Sequence, residues 1–217
     1  MTLDVKICGL TTPETLEAAI GAGASHVGFV VFPRSPRHLD FERGAALRTR
    51  VPARVASVAL LVDPDDTLVD QAVRALRPDI IQLHGQETPD RCLDVRQRWK
   101  VGVWKAQGVR TATDVQTAGR YAGTVDLLLF DAKPPTPPPG ETVLPGGTGV
   151  RFDWRLLDGL RLPMRWGLAG GLDADTVGEA VRLTRPALVD VSSGVEDAPG
   201  VKSVARIKAF MAAARAG

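Results

Sequence analysis

Short apolar runs alternate with longer amphipathic segments along the whole chain, and that rhythm limits the folds open to it. The runs fall at 5–8, 26–31, 55–62, 80–83, 101–106, 125–131, 166–169 and 188–191, each rich in Val, Ile or Leu. Near-continuous apolar runs of this length suit strands covered on both faces, as in a parallel sheet. Helical spacing marks the segments between them, at 13–22, 41–49, 66–76, 89–98, 113–121, 174–184 and 202–213, with a brief helical stretch at 152–157. Thr12 and Pro13 place an N-cap residue directly before a proline at the first helical position. Eight strands in a recurrent strand–helix unit predict an α/β fold, a single-domain (β/α)8 TIM barrel over 1–217. An open doubly wound sheet is the alternative.

A chain of 217 residues buries a substantial core without a disulfide or metal staple. Its net charge of +2, with both signs interspersed, carries no footprint for nucleic acid or a membrane surface. Cys8 and Cys92 stand far apart, in no metal-ligand spacing, so a reducing cytoplasmic setting is expected. The first residues lack a basic and then apolar leader pattern, and no apolar run approaches the ~20 residues needed to span a bilayer. One segment breaks the rhythm: 132–149 is rich in Pro and Gly. Long irregular loops inside compact domains are functional or disordered. Following the sixth strand, this one is read as a partly mobile lid over the active face.

In such a barrel the loops after the strands build the site. Cys8 and Gly9 end the first strand, Arg37 lies in the second loop, Gln82 and His84 end the fourth strand, and Asp131 ends the sixth. Gly170 and Gly171 follow the seventh strand, and Ser192, Ser193 and Gly194 follow the eighth. Either glycine-rich turn alone could be no more than a tight turn. Together, at these two strand ends, they form a candidate phosphate cradle of backbone N–H groups.

Cys8 is either a small buried hydrophobe or, as thiolate, a base. Asp131 ends an apolar run, where an unpaired carboxylate is costly, so it is solvated at the barrel mouth or hydrogen-bonded. Arg37 follows Pro36 and suits bidentate capture of a carboxylate, or is a surface arginine. His84 binds substrate or bonds within its loop. Lys105, read as a strand-end residue, supplies a Schiff-base amine or a local positive charge. Asp190 is read as a hydrogen-bonded supporting residue, while Cys92, Asp126, His26 and His38 are read as structural.

One ordered set of motifs is familiar. It comprises Lys6-Ile7-Cys8-Gly9-Leu10-Thr11, Phe32-Pro33-Arg34-Ser35-Pro36-Arg37, Gln82-Leu83-His84-Gly85, Leu129-Phe130-Asp131, Gly146-Gly147-Thr148-Gly149, Phe152-Asp153-Trp154, Leu168-Ala169-Gly170-Gly171-Leu172 and Val189-Asp190-Val191-Ser192-Ser193-Gly194-Val195-Glu196. It resembles phosphoribosylanthranilate isomerase over essentially the whole chain. The resemblance implies an enzyme of tryptophan biosynthesis that performs an Amadori rearrangement of a small phosphosugar, with no metal or organic cofactor. It further implies Asp131 as general acid, Cys8 as general base, Arg37 as the anthranilate carboxylate anchor, and the two glycine-rich loops as the phosphate site. Related sugar isomerases with histidine-pathway or dual specificity have aspartate where Cys8 stands, so a single substrate is expected. Relatives of this kind work as monomers or homodimers.

Overall fold

The computed structural model describes residues 3–133, 146–147 and 149–217. Eight parallel strands close into a barrel in chain order: β1 (Asp4–Cys8), β2 (His26–Val30), β3 (Ala56–Leu61), β4 (Ile80–Leu83), β5 (Gly102–Val109), β6 (Leu127–Ala132), β7 (Trp166–Leu168) and β8 (Leu188–Val191). The ring is completed by β8 pairing back onto β1, with Lys6 opposite Asp190. The open-sheet alternative is therefore excluded. Helices α1 (Pro13–Gly21), α2 (Phe41–Arg48), α3 (Asp66–Leu76), α4 (Pro89–Trp99), α5 (Ala112–Gln116), α6 (Val177–Thr184) and α7 (Val204–Ala216) form the outer layer. Thr12 caps α1 by accepting from the Thr15 N–H, with Pro13 at its start. Asp40, Asp65 and Thr88 cap α2, α3 and α4 in the same way.

Strand alternation sorts the apolar residues into two cores. One face of the strands packs against the helices through residues such as Ile7, Val27, Ile81, Leu83 and Val103. The other face fills the barrel with Val58, Trp104, Ala106, Leu127, Leu129, Ala169 and Leu188. Above them Cys8, Val30 and Leu60 form a small apolar group toward the C-terminal mouth. At the opposite rim Asp79 accepts from the Ser57 N–H at 2.7 Å and Asp126 from the Val103 N–H at 2.8 Å, the structural role expected of Asp126.

Several elements differ from the sequence reading, each for a local reason. The helix at 113–121 divides into α5 and a 3-10 turn, Thr117–Tyr121, which contains Gly119. The stretch at 152–157 is a single 3-10 turn, Trp154–Leu157. Asp173 accepts from the N–H groups of Asp175 and Thr176, holding that segment in a turn and delaying α6 to Val177. Val201–Lys202 (β10) pairs with Glu196–Ala198 (β9) in a two-stranded ribbon, so the last helix starts at Val204. The lid expected at 132–149 lies mostly outside the described residues. No helix among those described is long and apolar enough to cross a membrane.

His26 opens β2 with its Nδ1 2.8 Å from Ser25 Oγ and its ring 4.9 Å from that of Trp104. Burial pushes its protonation down to about 4, Lys6 and Arg165 adding to this against the pull of Asp4. The unfolded chain thus takes up the proton first, so the stabilising contribution is complete above about pH 6.5 and is lost as pH falls through about 4. Urea titrations are expected to show up to roughly 3 kcal/mol of acid destabilisation from this group, which His26→Gln should remove. An unchanged pH slope in the variant would contradict that assignment.

Candidate active site

A cavity opens at the C-terminal ends of the strands, lined among others by Cys8, Arg37, His84, Asp131, Gly170, Gly171, Asp190, Ser192 and Ser193. Most of the residues singled out in the sequence therefore meet in one place. Three do not reach its wall: Gly9, Gln82 and Gly194. Gln82 is fully buried, and its amide has no hydrogen-bond partner among the described residues. Gly194 packs the turn after β8 against the turn after β7, where any side chain would overlap the Leu172 carbonyl.

Cys8 ends β1 in register with Gly28 of β2, and a Cβ on Gly28 would stand 2.9 Å from the sulfur. The thiol thus occupies space that only glycine leaves free. Two residues earlier on the same face, Lys6 is fully buried and donates to Asp190 Oδ2 at 2.9 Å. The same point on Gly28 lies 3.1 Å from Lys6 Cε, so the lysine terminus and the sulfur are neighbours. Burial disfavours the ammonium, but Asp190 and Cys8 more than offset this and raise its pKa. Cys8 is itself pushed up, first by burial and then by Asp190, with Lys6 pulling the other way. The sulfur rests as a thiol.

Asp131 is the penultimate residue of β6. Its Oδ2 lies 3.0 Å from His84 Nε2, and its Oδ1 accepts from the Ala132 N–H at 2.8 Å. Both alternatives for Asp131 hold in part, since it is hydrogen-bonded and also borders the cavity. His84 is placed just beyond β4 by its N–H, which donates to the Leu61 carbonyl at 2.9 Å. It touches Asp131 and lines the cavity.

Arg37 is no surface arginine: it is 5% exposed. Its Nε and Nη2 donate to the two carboxylate oxygens of Glu196, each at 2.7 Å. Glu196 is also paired with Lys202, whose Nζ donates to the carbonyl and hydroxyl oxygens of Ser192 at 3.2 and 3.3 Å. Burial works against the Glu196 carboxylate, yet Arg37 and Lys202 hold it below its usual range. Ser192 Oγ donates in turn to the Cys8 carbonyl at 3.3 Å. After β7, Gly170 and Gly171 have φ of +82° and +66°, turning the backbone along the cavity wall beside Ser192 and Ser193.

Lys105 requires a correction. β5 extends to Val109, so Lys105 lies within the strand, and alternation with Trp104 and Ala106 turns it away from the barrel interior. There it pairs with Glu87 at 3.0 Å and donates to the Gly85 carbonyl at 2.8 Å. Glu87 accepts from the Gly85 N–H as well, so the pair braces the loop that carries His84. Sequence reasoning assigned no role to Lys6, Glu196 or Lys202. A signal existed for Lys6, a charge two residues before Cys8 within an apolar strand; Glu196 and Lys202 gave none. Among the described residues no group of three or more His, Cys, Asp or Glu is placed to hold a metal.

The geometry predicts unequal thiols. Cys92 is buried in α4, and burial pushes its pKa up to about 12, whereas Cys8 borders the cavity. Iodoacetamide with peptide mapping should label Cys8 alone in the native protein, at a rate still climbing near about pH 9. Labelling that levels off below neutrality, or that favours Cys92, would contradict this picture.

Comparison with known proteins gives a consistent result. Residues 5–213 match the family model described as N-(5'phosphoribosyl)anthranilate (PRA) isomerase. N-(5'-phosphoribosyl)anthranilate isomerase of Parvibaculum lavamentivorans is 53% identical over 215 residues, 99% of each chain. The crystal structure of phosphoribosyl anthranilate isomerase from Thermotoga maritima superposes with a TM-score of 0.87 at 33% identity, covering 98% of each chain. A phosphoribosyl anthranilate isomerase solved with reduced 1-(o-carboxyphenylamino)-1-deoxyribulose 5-phosphate gives 0.82 at 31% identity, again over 98% of each.

Proposed function

The chain belongs to the N-(5'-phosphoribosyl)anthranilate isomerase family, and on that premise we propose how its cavity divides the chemistry. The enzyme catalyses the Amadori rearrangement of N-(5-phospho-β-D-ribosyl)anthranilate to 1-(2-carboxyphenylamino)-1-deoxy-D-ribulose 5-phosphate in tryptophan biosynthesis. Asp131 is the general acid. It protonates the furanose ring oxygen, the C1–O bond opens, and the anthranilate nitrogen's lone pair forms the Schiff base. Cys8 is the general base: it removes the C2 proton, the electron pair forms the C1=C2 bond as the C1=N pair returns to the anthranilate nitrogen, and the enolamine tautomerises to the ketone. His84 orients the acid by its contact with Oδ2.

The observation that carries this reading is that Cys8, Asp131 and Arg37 border one cavity while coming from β1, β6 and the loop after β2. An acid is needed at the ring oxygen and a base at C2, so two groups on separate strand ends suit one substrate. The resting thiol must ionise to act, and the Lys6 ammonium favours the thiolate. Arg37 anchors the anthranilate carboxylate, and the backbone around Gly170, Gly171, Ser192, Ser193 and Gly194 receives the phosphate. Gln82 supports the cavity from below. The protein works in the cytoplasm, as a monomer or homodimer, without a cofactor.

Cys8→Ala and Asp131→Asn are each expected to lower kcat by roughly 10²–10⁴-fold. Both should still bind the reduced product analogue and melt as the parent protein does. Loss of anthranilate fluorescence on adding enzyme to fresh substrate measures the rate. A variant with parental turnover would remove its residue from the scheme, and one that fails to fold would make that residue structural.

A further inference from the structure

An arginine side chain has five N–H donors. Three of those on Arg37 are committed within the protein: Nε and one Nη2 proton to Glu196, and the other Nη2 proton to the Gly147 carbonyl at 3.1 Å. The two protons of Nη1 have no partner among the described residues. Nη1 faces Gly147, where a Cβ would stand 2.5 Å from it. Glu196 is gripped from its other side by Lys202, and all three side chains are buried. Two cations and one carboxylate leave this cluster one positive charge in excess. Burial penalises such an excess, and one bound carboxylate would cancel it.

We propose that Glu196 is a positioning residue that keeps the Nε/Nη2 fork of Arg37 to itself, so that the anthranilate carboxylate is taken by the Nη1 edge. The inference rests on Arg37 being the carboxylate anchor. It adds that the fork, the usual seat of a bidentate carboxylate, stays on Glu196 when substrate binds. Glu196 then governs binding through Arg37 without touching the reacting atoms. Substrate-free and bound enzyme share one guanidinium pose, so no ion pair has to break on binding.

Steady-state kinetics with N-(5'-phosphoribosyl)anthranilate test this with E196Q, R37K, the double variant and G147A. R37K should raise KM by at least about 30-fold, since an ammonium lacks the planar guanidinium. E196Q should raise KM about tenfold with kcat within about threefold. The double variant should be no worse than R37K alone, because both substitutions act through one guanidinium. G147A, whose methyl would stand 2.5 Å from Nη1 but 3.4 Å from Nη2, should raise KM. A lower KM in E196Q would show Glu196 competing with the substrate carboxylate, and multiplicative effects in the double variant would show it acting elsewhere; either overturns the proposal. Should E196Q fail to fold, G147A decides, an unchanged KM placing the carboxylate on the fork. An unchanged KM in R37K would instead remove the anchor reading, and this inference with it.

Discussion

Lys6 and Asp190 face each other inside the barrel on the first and last strands, in register and 2.9 Å apart. A one-residue slip of either strand in that seam would turn its charged side chain to the helix-covered face, and leave both charges unpaired. The pair therefore fixes where the barrel closes. Breaking it by removing one partner would cost about 3–5 kcal/mol, because the survivor would be a buried, uncompensated charge. Its position also sets the electrostatics of Cys8, whose sulfur neighbours the Lys6 terminus. Closure of the fold and the positive charge beside the thiol thus both depend on one ion pair, while burial itself raises the thiol's pKa.

The strands were legible because β-strands buried on both faces leave continuous apolar runs, and the runs at 80–83 and 188–191 match β4 and β8 residue for residue. Strand ends were legible for the same reason: a Cys or Asp closing such a run stands out. Helix ends were less so, since a side-chain turn at Asp173 and the pairing of Val201–Lys202 with Glu196–Ala198 are decided by partners distant from any periodic signal. Lys105 shows the limit most plainly. Its sequence neighbours suggested a strand end, whereas the length of β5 and the side it faces follow from pairing with β6 and from Glu87. Glu196 and Lys202 have no readable role in sequence until the chain brings Arg37, 159 residues from Glu196, onto the carboxylate that Lys202 also grips.

Gly28 and Gly194 make a complementary point about space. Each is opposite a group that could not otherwise be there: the Cys8 sulfur in one case, the Leu172 carbonyl in the other. In the sequence, Gly194 reads as part of a candidate phosphate turn. Its position shows that it lets the turns after β7 and β8 approach closely, and that closeness brings Gly170, Gly171, Ser192 and Ser193 to one cavity wall. Loss of the glycine would act on the cradle by separating its halves.

The hydrogen bonds around the mouth form one chain: Arg37 to Glu196, Lys202 to Glu196 and Ser192, and Ser192 to the Cys8 carbonyl. On the proposed roles it joins the carboxylate anchor, a wall of the phosphate cradle and the backbone of the base. A substrate charged at both ends would then be held by two sites that cannot drift apart independently, with the proposed base tied to the frame that fixes them. Orientation of this kind matters to the rate, because well-aligned groups reach effective molarities of about 10⁵–10⁸ M and a misplacement of about 1 Å can cost 10²-fold. Asp131 is not in the chain. It is held separately, by His84 and the Ala132 N–H. Asp131 and Cys8, the proposed acid and base, therefore rest on different supports. On the proposed roles, disturbing Glu196 acts on how Arg37 meets the substrate, whereas disturbing His84 moves Asp131 relative to it.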